Sequence, residues 1–251
     1  MPKLKQLPDP QPHTIASWIL CEADNTEFKL IDDVTIKIIA SHLTNKTQTE
    51  LEDIEEQHRD KVIQSLKDIH AENLIDGIQP IFEIIEEGNS TYIKVFPQNE
   101  VKLLLKQLTD ITPEQFERFC VHLLETIGAK PVKHNGGKDD GGVDFVGHNI
   151  PVGANLINAP TNSKVIVIGQ AKTNKVTETE IRKFVGGAIR EIHEKKSNIG
   201  ALTPVIYAFW TTSDFHTSAI RYARALGIWY LNGLGLAQLS YNVGIKRIPT
   251  L

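Results

Sequence analysis

An acidic, glycine-rich turn and two strands between Gly136 and Lys172 constrain this chain more than any other stretch. The turn reads Gly136-Gly137-Lys138-Asp139-Asp140-Gly141-Gly142 and runs into Val143-Asp144-Phe145. The second strand, Val165-Ile166-Val167-Ile168-Gly169, ends in Gln170-Ala171-Lys172. Side chains alternate along a strand, so Asp144 and Phe145 are expected on opposite faces. By the same rule Gln170 and Lys172 share one face and Ala171 takes the other. If the two strands are neighbours, a carboxylate, an amide oxygen and an ammonium converge on one spot. Such a set suits a hard cation held by oxygen atoms, with a positive side chain beside a reacting phosphate. Asp139-Asp140-Gly141-Gly142 also reads as a plain tight turn, because Asp and Gly are turn formers. That reading suffices for Asp139 and leaves Asp140 open. It gives no reason for Asp144, a carboxylate at the start of an apolar strand.

A chain of 251 residues makes one large domain or two of ordinary size. Its 41% hydrophobic and 23% charged content is that of a globular protein. No apolar run approaches a membrane span, and Met1-Pro2-Lys3-Leu4-Lys5 lacks the apolar core of a signal peptide. A cytoplasmic protein with no membrane partner is expected. Cys21 and Cys120 lie far apart and form no zinc-type spacing with histidine, so reduced thiols are expected. Charge divides the chain. Residues 1–98 hold 9 Lys and Arg against 18 Asp and Glu, a balance of −9. Residues 99–251 hold 18 against 13, a balance of +5, and this half is the one suited to a polyanion.

The first half reads as a smaller α+β domain, residues 1–98. Prolines at positions 2, 8, 10 and 12 point to an extended arm. His13–Ala23 is apolar enough for a helix or a strand, and periodicity does not choose. Asp32 and Asp33 could cap a helix through Leu43. Apolar residues Leu51, Ile54, Val62, Leu66 and Ile69 keep helical spacing, and two β runs flank Glu87-Gly88-Asn89-Ser90 as a hairpin. Helices before a hairpin resemble a winged helix with Asp60–Leu74 in the recognition position. A helical domain that packs on its neighbour or binds a protein is the competing reading. The acidic charge favours the latter, since DNA-binding winged helices present positive charge.

The second half, residues 99–251, opens with an amphipathic connector over Val101–Leu108. A helix follows with Thr112 as N-cap, Pro113 at its first position and acidic residues in its first turn. Phe116, Phe119, Cys120, Leu123, Leu124 and Ile127 form its apolar stripe, and Gly128 ends it. Cys120 is therefore expected to be an inert core thiol, while Glu117 lies about 100° round the helix from Phe116. Ala129–Lys133 reads as a strand. Gly147–Ser163, with its Pro and Asn residues, reads as an inserted loop, either a DNA-contacting flap or a surface excursion. Thr177-x-x-Glu180 is a capping box, and Ile181, Phe184, Val185, Ala188, Ile189 and Ile192 make the buried face of its helix. Thr203–Thr211 reads as a buried strand. Ser213 or Asp214 is expected to cap a helix to Leu226, and Gly227–Leu231 is the last strand before a short helix.

Asp140-Gly141-Gly142-Val143-Asp144, followed by an apolar strand ending Gln170-Ala171-Lys172, resembles the catalytic core of the Mrr-type restriction endonucleases. These belong to the nuclease superfamily marked by Asp, then Glu or Gln, x, Lys. The likeness continues upstream at Thr112-Pro113-Glu114-Gln115-Phe116-Glu117. Downstream it takes in Thr211-Thr212-Ser213-Asp214-Phe215 and Gly227-Ile228-Trp229-Tyr230-Leu231. It implies a restriction-endonuclease-like α/β fold, an αβββαβ core with a mixed central sheet. The implied activity is an Mg²⁺-dependent DNA endonuclease, a hydrolase of phosphodiester bonds in restriction or defence that includes modified DNA among its targets. Mn²⁺ is expected to substitute for Mg²⁺.

The resemblance also assigns roles. Asp144, Gln170 and the carbonyl of Ala171 would hold the metal, Lys172 would stabilise the reacting phosphate, and Glu117 would be an outer ligand or an orienting base. A surface Glu that favours the helix dipole is the alternative for Glu117. Lys138, Lys175, Arg182 and Lys183 are candidates for backbone phosphates, though a basic helical face is often merely solvated. Gln170 stands where the superfamily more often has Glu, which removes one negative charge from the set. Double-stranded DNA is the expected partner. A homodimer would allow both strands to be cut, and the acidic first domain would choose the target or bind a protein partner. Two alternatives stay open: a catalytically inactive nucleic-acid-binding or assembly protein on the same fold, and a repair or junction nuclease.

Overall fold

In a computed structural model of the chain, the described residues are 10–23, 25–75, 80–96, 99–135, 142–150, 165–193 and 203–249. They fall into two compact units, Met1–Asn99 and Glu100–Leu251. Two expected features, the proline-rich arm up to residue 9 and the turn residues Lys138, Asp139 and Asp140, lie outside the described residues.

The first unit runs α1 (Pro12–Glu22), β1 (Asn25–Leu30), α2 (Ile31–His42), α3 (Gln48–Ile75), β2 (Phe82–Glu87) and β3 (Ser90–Val95). The undecided segment after His13 is thus a helix. Its three strands form an antiparallel sheet in the order β1-β3-β2. Ile15, Ile19, Ile39, Leu66, Phe82 and Ile93 are fully buried and make the core between helices and sheet. Each such side chain stabilises the unit by roughly 1.5–3 kcal/mol. The hairpin turns on Gly88, whose φ of 61° falls in the left-handed region. Asp32 and Asp33 do not cap α2. Leu30 takes the N-cap position without a side-chain bond, and the two aspartates sit in the first turn, where the helix dipole favours them.

The second unit runs α4 (Asn99–Asp110), α5 (Pro113–Thr126), β4 (Val132–His134), β5 (Phe145–Ile150), β6 (Val165–Lys172), α6 (Glu178–His193), β7 (Val205–Thr211), α7 (Thr217–Ala225), β8 (Trp229–Leu231) and α8 (Gly233–Asn242). The sheet order is β4-β5-β6-β7-β8, antiparallel through β6 and parallel beyond it. The αβββαβ core with a mixed sheet is therefore present. One face carries Val146, Ile166, Ile168 and Phe209 against Ile181, Phe184 and Ala188 of α6 and Ala219 and Ala223 of α7. The opposite face carries Gly147, whose Cα lies close under Leu124 of α5, together with Phe145, which packs on Trp210 at 4.9 Å.

Local signals place the helices that frame the sheet. Thr112 Oγ1 accepts the backbone N–H of Gln115 at 3.3 Å, and Gln115 Oε1 accepts the N–H of Thr112 at 2.9 Å, a reciprocal cap for α5. Thr177 and Glu180 do the same for α6. Three expectations need correction. β5 continues through Ile150, so the segment expected as a loop from Gly147 begins later, and 151–164 lie outside the described residues. His216, not Ser213 or Asp214, is the N-cap residue of α7. On α6, Ile189 is exposed while Glu191 is buried, because the packed face turns slightly from the apolar stripe.

Candidate active site

The site forms where β5 starts and β6 ends. Asp144 is 5% exposed, and its Oδ2 accepts the backbone N–H of Ala171 at 2.7 Å. Its own N–H donates to the carbonyl of Gly169 at 2.9 Å, and Phe145 also pairs with Gly169. Two residues of the entering chain thus meet one residue of β6. Strict alternation does not run through Asp144; the bond to Ala171 is what aims its carboxylate. That bond is charge-assisted and buried, which makes it one of the stronger kinds.

Backbone geometry then places a second oxygen. Along a strand, the N–H and C=O of one residue point to the same side, and successive residues alternate sides. The carbonyl of Gly169 faces β5, and that of Lys172 faces β7, where it accepts the N–H of Thr212 at 3.1 Å. The carbonyl of Ala171 therefore faces the β5 side, on the edge occupied by the Asp144 carboxylate.

Gln170 is buried and Lys172 half-buried, and period 2 puts both on the face covered by α6. Gly142, the last residue of the turn, closes over Gln170. A Cβ at Gly142 would lie 3.2 Å from Gln170 Nε2, and its φ of +84° is one that side chains rarely adopt. Gly142 is thus needed for close approach to the Gln170 amide, which turn chemistry alone does not reveal.

The loop after Lys172 is fastened by the Thr-Thr-Ser-Asp-Phe segment. Thr211 Oγ1 donates to the carbonyl of Asn174 at 2.9 Å, Val176 N–H donates to the carbonyl of Asp214 at 2.8 Å, and His216 N–H donates to Val176 at 2.9 Å. Thr211 and Thr212 are buried, so this segment holds the end of β6 in place.

From α5, Glu117 reaches the same end of the sheet. Burial raises the pKa of the Cys120 thiol well above its ordinary value, and the carboxylates of Asp144 and Glu117 raise it further. Cys120 is fully buried, the core thiol expected. Glu117 is hydrogen-bonded to His134 on β4, Oε2 to Nε2 at 2.9 Å.

The candidate phosphate contacts are spread. Lys175 is half-buried in the loop before α6, Lys183 is exposed on α6, and Lys138 lies outside the described residues. Arg182 is engaged locally, donating to Glu178 at 2.6 Å and stacking on Tyr222 at 4.1 Å.

Asp144 Oδ, Gln170 Oε1 and the Ala171 carbonyl are all hard oxygen donors, and the first and last share one edge. That chemistry fits Mg²⁺, which takes one or two carboxylates and keeps several waters. Among the described residues no cluster of three His, Cys, Asp or Glu could hold a metal.

An αβββαβ core that sets Asp144, Gln170 and Lys172 at one end of a mixed sheet has the restriction-endonuclease fold. Residues 108–240, just over half of the chain, match the Mrr catalytic family model, described as restriction endonuclease, and the chain belongs to that family. Two solved structures are similar. One is the MspJI restriction endonuclease in complex with a 27-mer oligonucleotide, at 22% identity over 57% of this chain and 32% of that one, with a TM-score of 0.39. The other is the DNA modification-dependent restriction endonuclease AspBHI, at 12% identity over 67% of this chain and 58% of that one, also with a TM-score of 0.39. The chain thus spans about a third and just over half of those two structures. No curated protein matches.

Proposed function

We propose that this chain is an Mg²⁺-dependent DNA endonuclease of restriction or defence, with its chemistry in the second unit. The observation that carries the reading is the Asp144 carboxylate fixed at 2.7 Å on the N–H of Ala171, the residue between Gln170 and Lys172. Asp144, Gln170 and the Ala171 carbonyl would hold the cation, with Mn²⁺ as an acceptable substitute. When bound, that cation neutralises phosphoryl charge and lowers the pKa of a bound water. Lys172 stands beside the scissile phosphate and stabilises the charge that develops there. Glu117 serves as an outer ligand or orienting group. Lys175, Lys183, Arg182 and Lys138 contact backbone phosphates.

In this reading residues 1–98 choose the target or bind a protein partner, and a homodimer supplies the two sites needed to cut both strands. Among the described residues no helix is long and apolar enough to cross a membrane. The test is cleavage of supercoiled plasmid, methylated and unmethylated, with Mg²⁺, with Mn²⁺ and with EDTA. Metal-dependent linearisation is expected. Retention of DNA without cleavage under every metal condition would instead identify a binding protein on the nuclease fold.

A further inference from the structure

We propose that His134 is a positioning residue of this site, acting through Glu117. The inference rests on the metal-dependent reading above, and neither the turn nor the Gln-x-Lys strand points to His134. Its imidazole Nε2 lies 2.9 Å from Glu117 Oε2, with the two side chains 33% and 24% exposed. A glutamate this exposed spreads its carboxylate over several rotamers. Holding it in one place for a cation loses that freedom. A ring on a β-strand is a stiffer group, with only two side-chain torsions, and a hydrogen bond from it fixes the carboxylate before any ligand arrives.

The anchor is well placed for this. In the β4–β5 ladder His134 faces Phe145, and the next residue, Asn135, donates its N–H to the carbonyl of Asp144 at 2.8 Å. The strand that carries the ring is therefore tied to the backbone of the first ligand. Glu117 is hydrogen-bonded to a residue whose cross-strand partner, Phe145, follows Asp144 in the chain, so the carboxylate that His134 holds lies at the same end of the sheet. A neutral imidazole with its proton on Nε2 donates this bond, and no change of charge is needed.

A plain helix-to-strand fastening would share the geometry. The two roles differ in metal affinity and in how mutations combine. The full chain is titrated with Mn²⁺, following loss of the free-ion paramagnetic signal, for wild type, His134→Ala, His134→Gln, Glu117→Ala and the His134→Ala/Glu117→Ala double variant. Thermal melts confirm that each is folded. His134→Ala should weaken Mn²⁺ binding by about tenfold, the low end of what loss of an outer partner costs. His134→Gln, which keeps an N–H donor, should recover most of that. In the Glu117→Ala background the His134 change should have no further effect, because its route to the metal is already gone. Wild-type affinity in His134→Ala, or losses that add in the double variant, would overturn the inference and leave the metal-dependent reading standing. A wild-type chain that binds no Mn²⁺ would overturn that reading and this inference with it.

Discussion

The two units differ in how many cationic side chains internal pairing leaves over. In the first unit Arg59 is held by Glu55, Nη2 to Oε2 at 2.8 Å, and by Asp32 at 3.2 Å, and Lys67 is held by Glu86 at 2.6 Å. Glu55 is buried, so the guanidinium is needed where it is. These are two of the few basic residues that a DNA-reading α3 would offer, and both are spent on carboxylates of their own unit. The second unit also spends two arginines locally, Arg118 on Glu114 at 2.8 Å and Arg182 on Glu178 at 2.6 Å, whereas Lys172 and Lys183 have no carboxylate partner among the described residues. The balance of −9 in residues 1–98 against +5 in residues 99–251 thus reflects more than composition. Pairing occurs in both units, but the first starts with 9 cations against the second's 18 and so is left poorer for a polyanion. The comparison teaches that net charge predicts a nucleic-acid surface only once internal ion pairs have been subtracted.

The largest effects should separate chemistry from scaffold. Asp144→Asn or Lys172→Ala should lower the cleavage rate by about 10³-fold, the scale on which charge stabilisation is lost. Single-turnover plasmid cleavage measures it, and a wild-type rate in either variant would remove the site from this unit. Asp144→Ala is a poorer probe. It orphans the buried N–H of Ala171, at a cost of about 1–3 kcal/mol, and so mixes stability with chemistry.

Arg59→Ala should do the reverse. With Glu55 and Asp32 left facing one another, the first unit should lose roughly 1–3 kcal/mol, between the exposed and buried limits for broken ion pairs. The cleavage rate at saturating DNA should be unchanged. Denaturation curves and saturating kinetics on one sample test both halves, and a slower rate would mean that the first unit shares in catalysis. Gly169→Ala provides the matching scaffold lesion in the second unit. Its Cβ would fall 2.1 Å from the ring of Phe145, so a loss of about 1–3 kcal/mol is expected from overpacking.

Removing the first unit probes the charge contrast itself. A chain beginning at Asn99 should bind nonspecific duplex several-fold more tightly, because repulsion reaches over a Debye length of about 8 Å. Its salt slope should stay as steep as that of the full chain, since no phosphate contact is lost. A DNA-docking first unit predicts weaker binding and a slope flatter by about 0.9 per lost contact. Isotherms at several salt concentrations distinguish the two. The smallest effect should come from Gln170→Glu. A second carboxylate in the donor set should tighten Mg²⁺ binding a few-fold, read by calorimetry, and an unchanged affinity would mean that Gln170 is not a ligand.

What the sequence alone determined about this protein was local and periodic. Thr112, Pro113 and the stripe from Phe116 to Leu124 specified α5, and Thr177 with Glu180 specified the start of α6. The apolar run into Gln170-Ala171-Lys172 specified β6. In each case the signal lies within one element, where a cap or a repeat of 3.6 or 2 residues is written in adjacent letters. Together with the motif order, that was enough for the fold class and for the identity of the candidate site residues.

The tertiary structure decided everything that depends on distant partners. Asn25–Leu30 carries only a short alternation, Phe28 and Leu30 against Glu27 and Lys29, and is a strand because β3 offers it a pairing edge. Ile189 is exposed and Glu191 buried because the packed face of α6, through Ile181, Phe184 and Ala188, is set by the sheet it meets and not by the helix alone. Asp144 is aimed by an N–H twenty-seven residues away, and Glu117 by a histidine seventeen residues away on another strand. Hydrogen bonds of this kind have no period. They exist because packing brings two backbones together and every buried polar group must then find a partner.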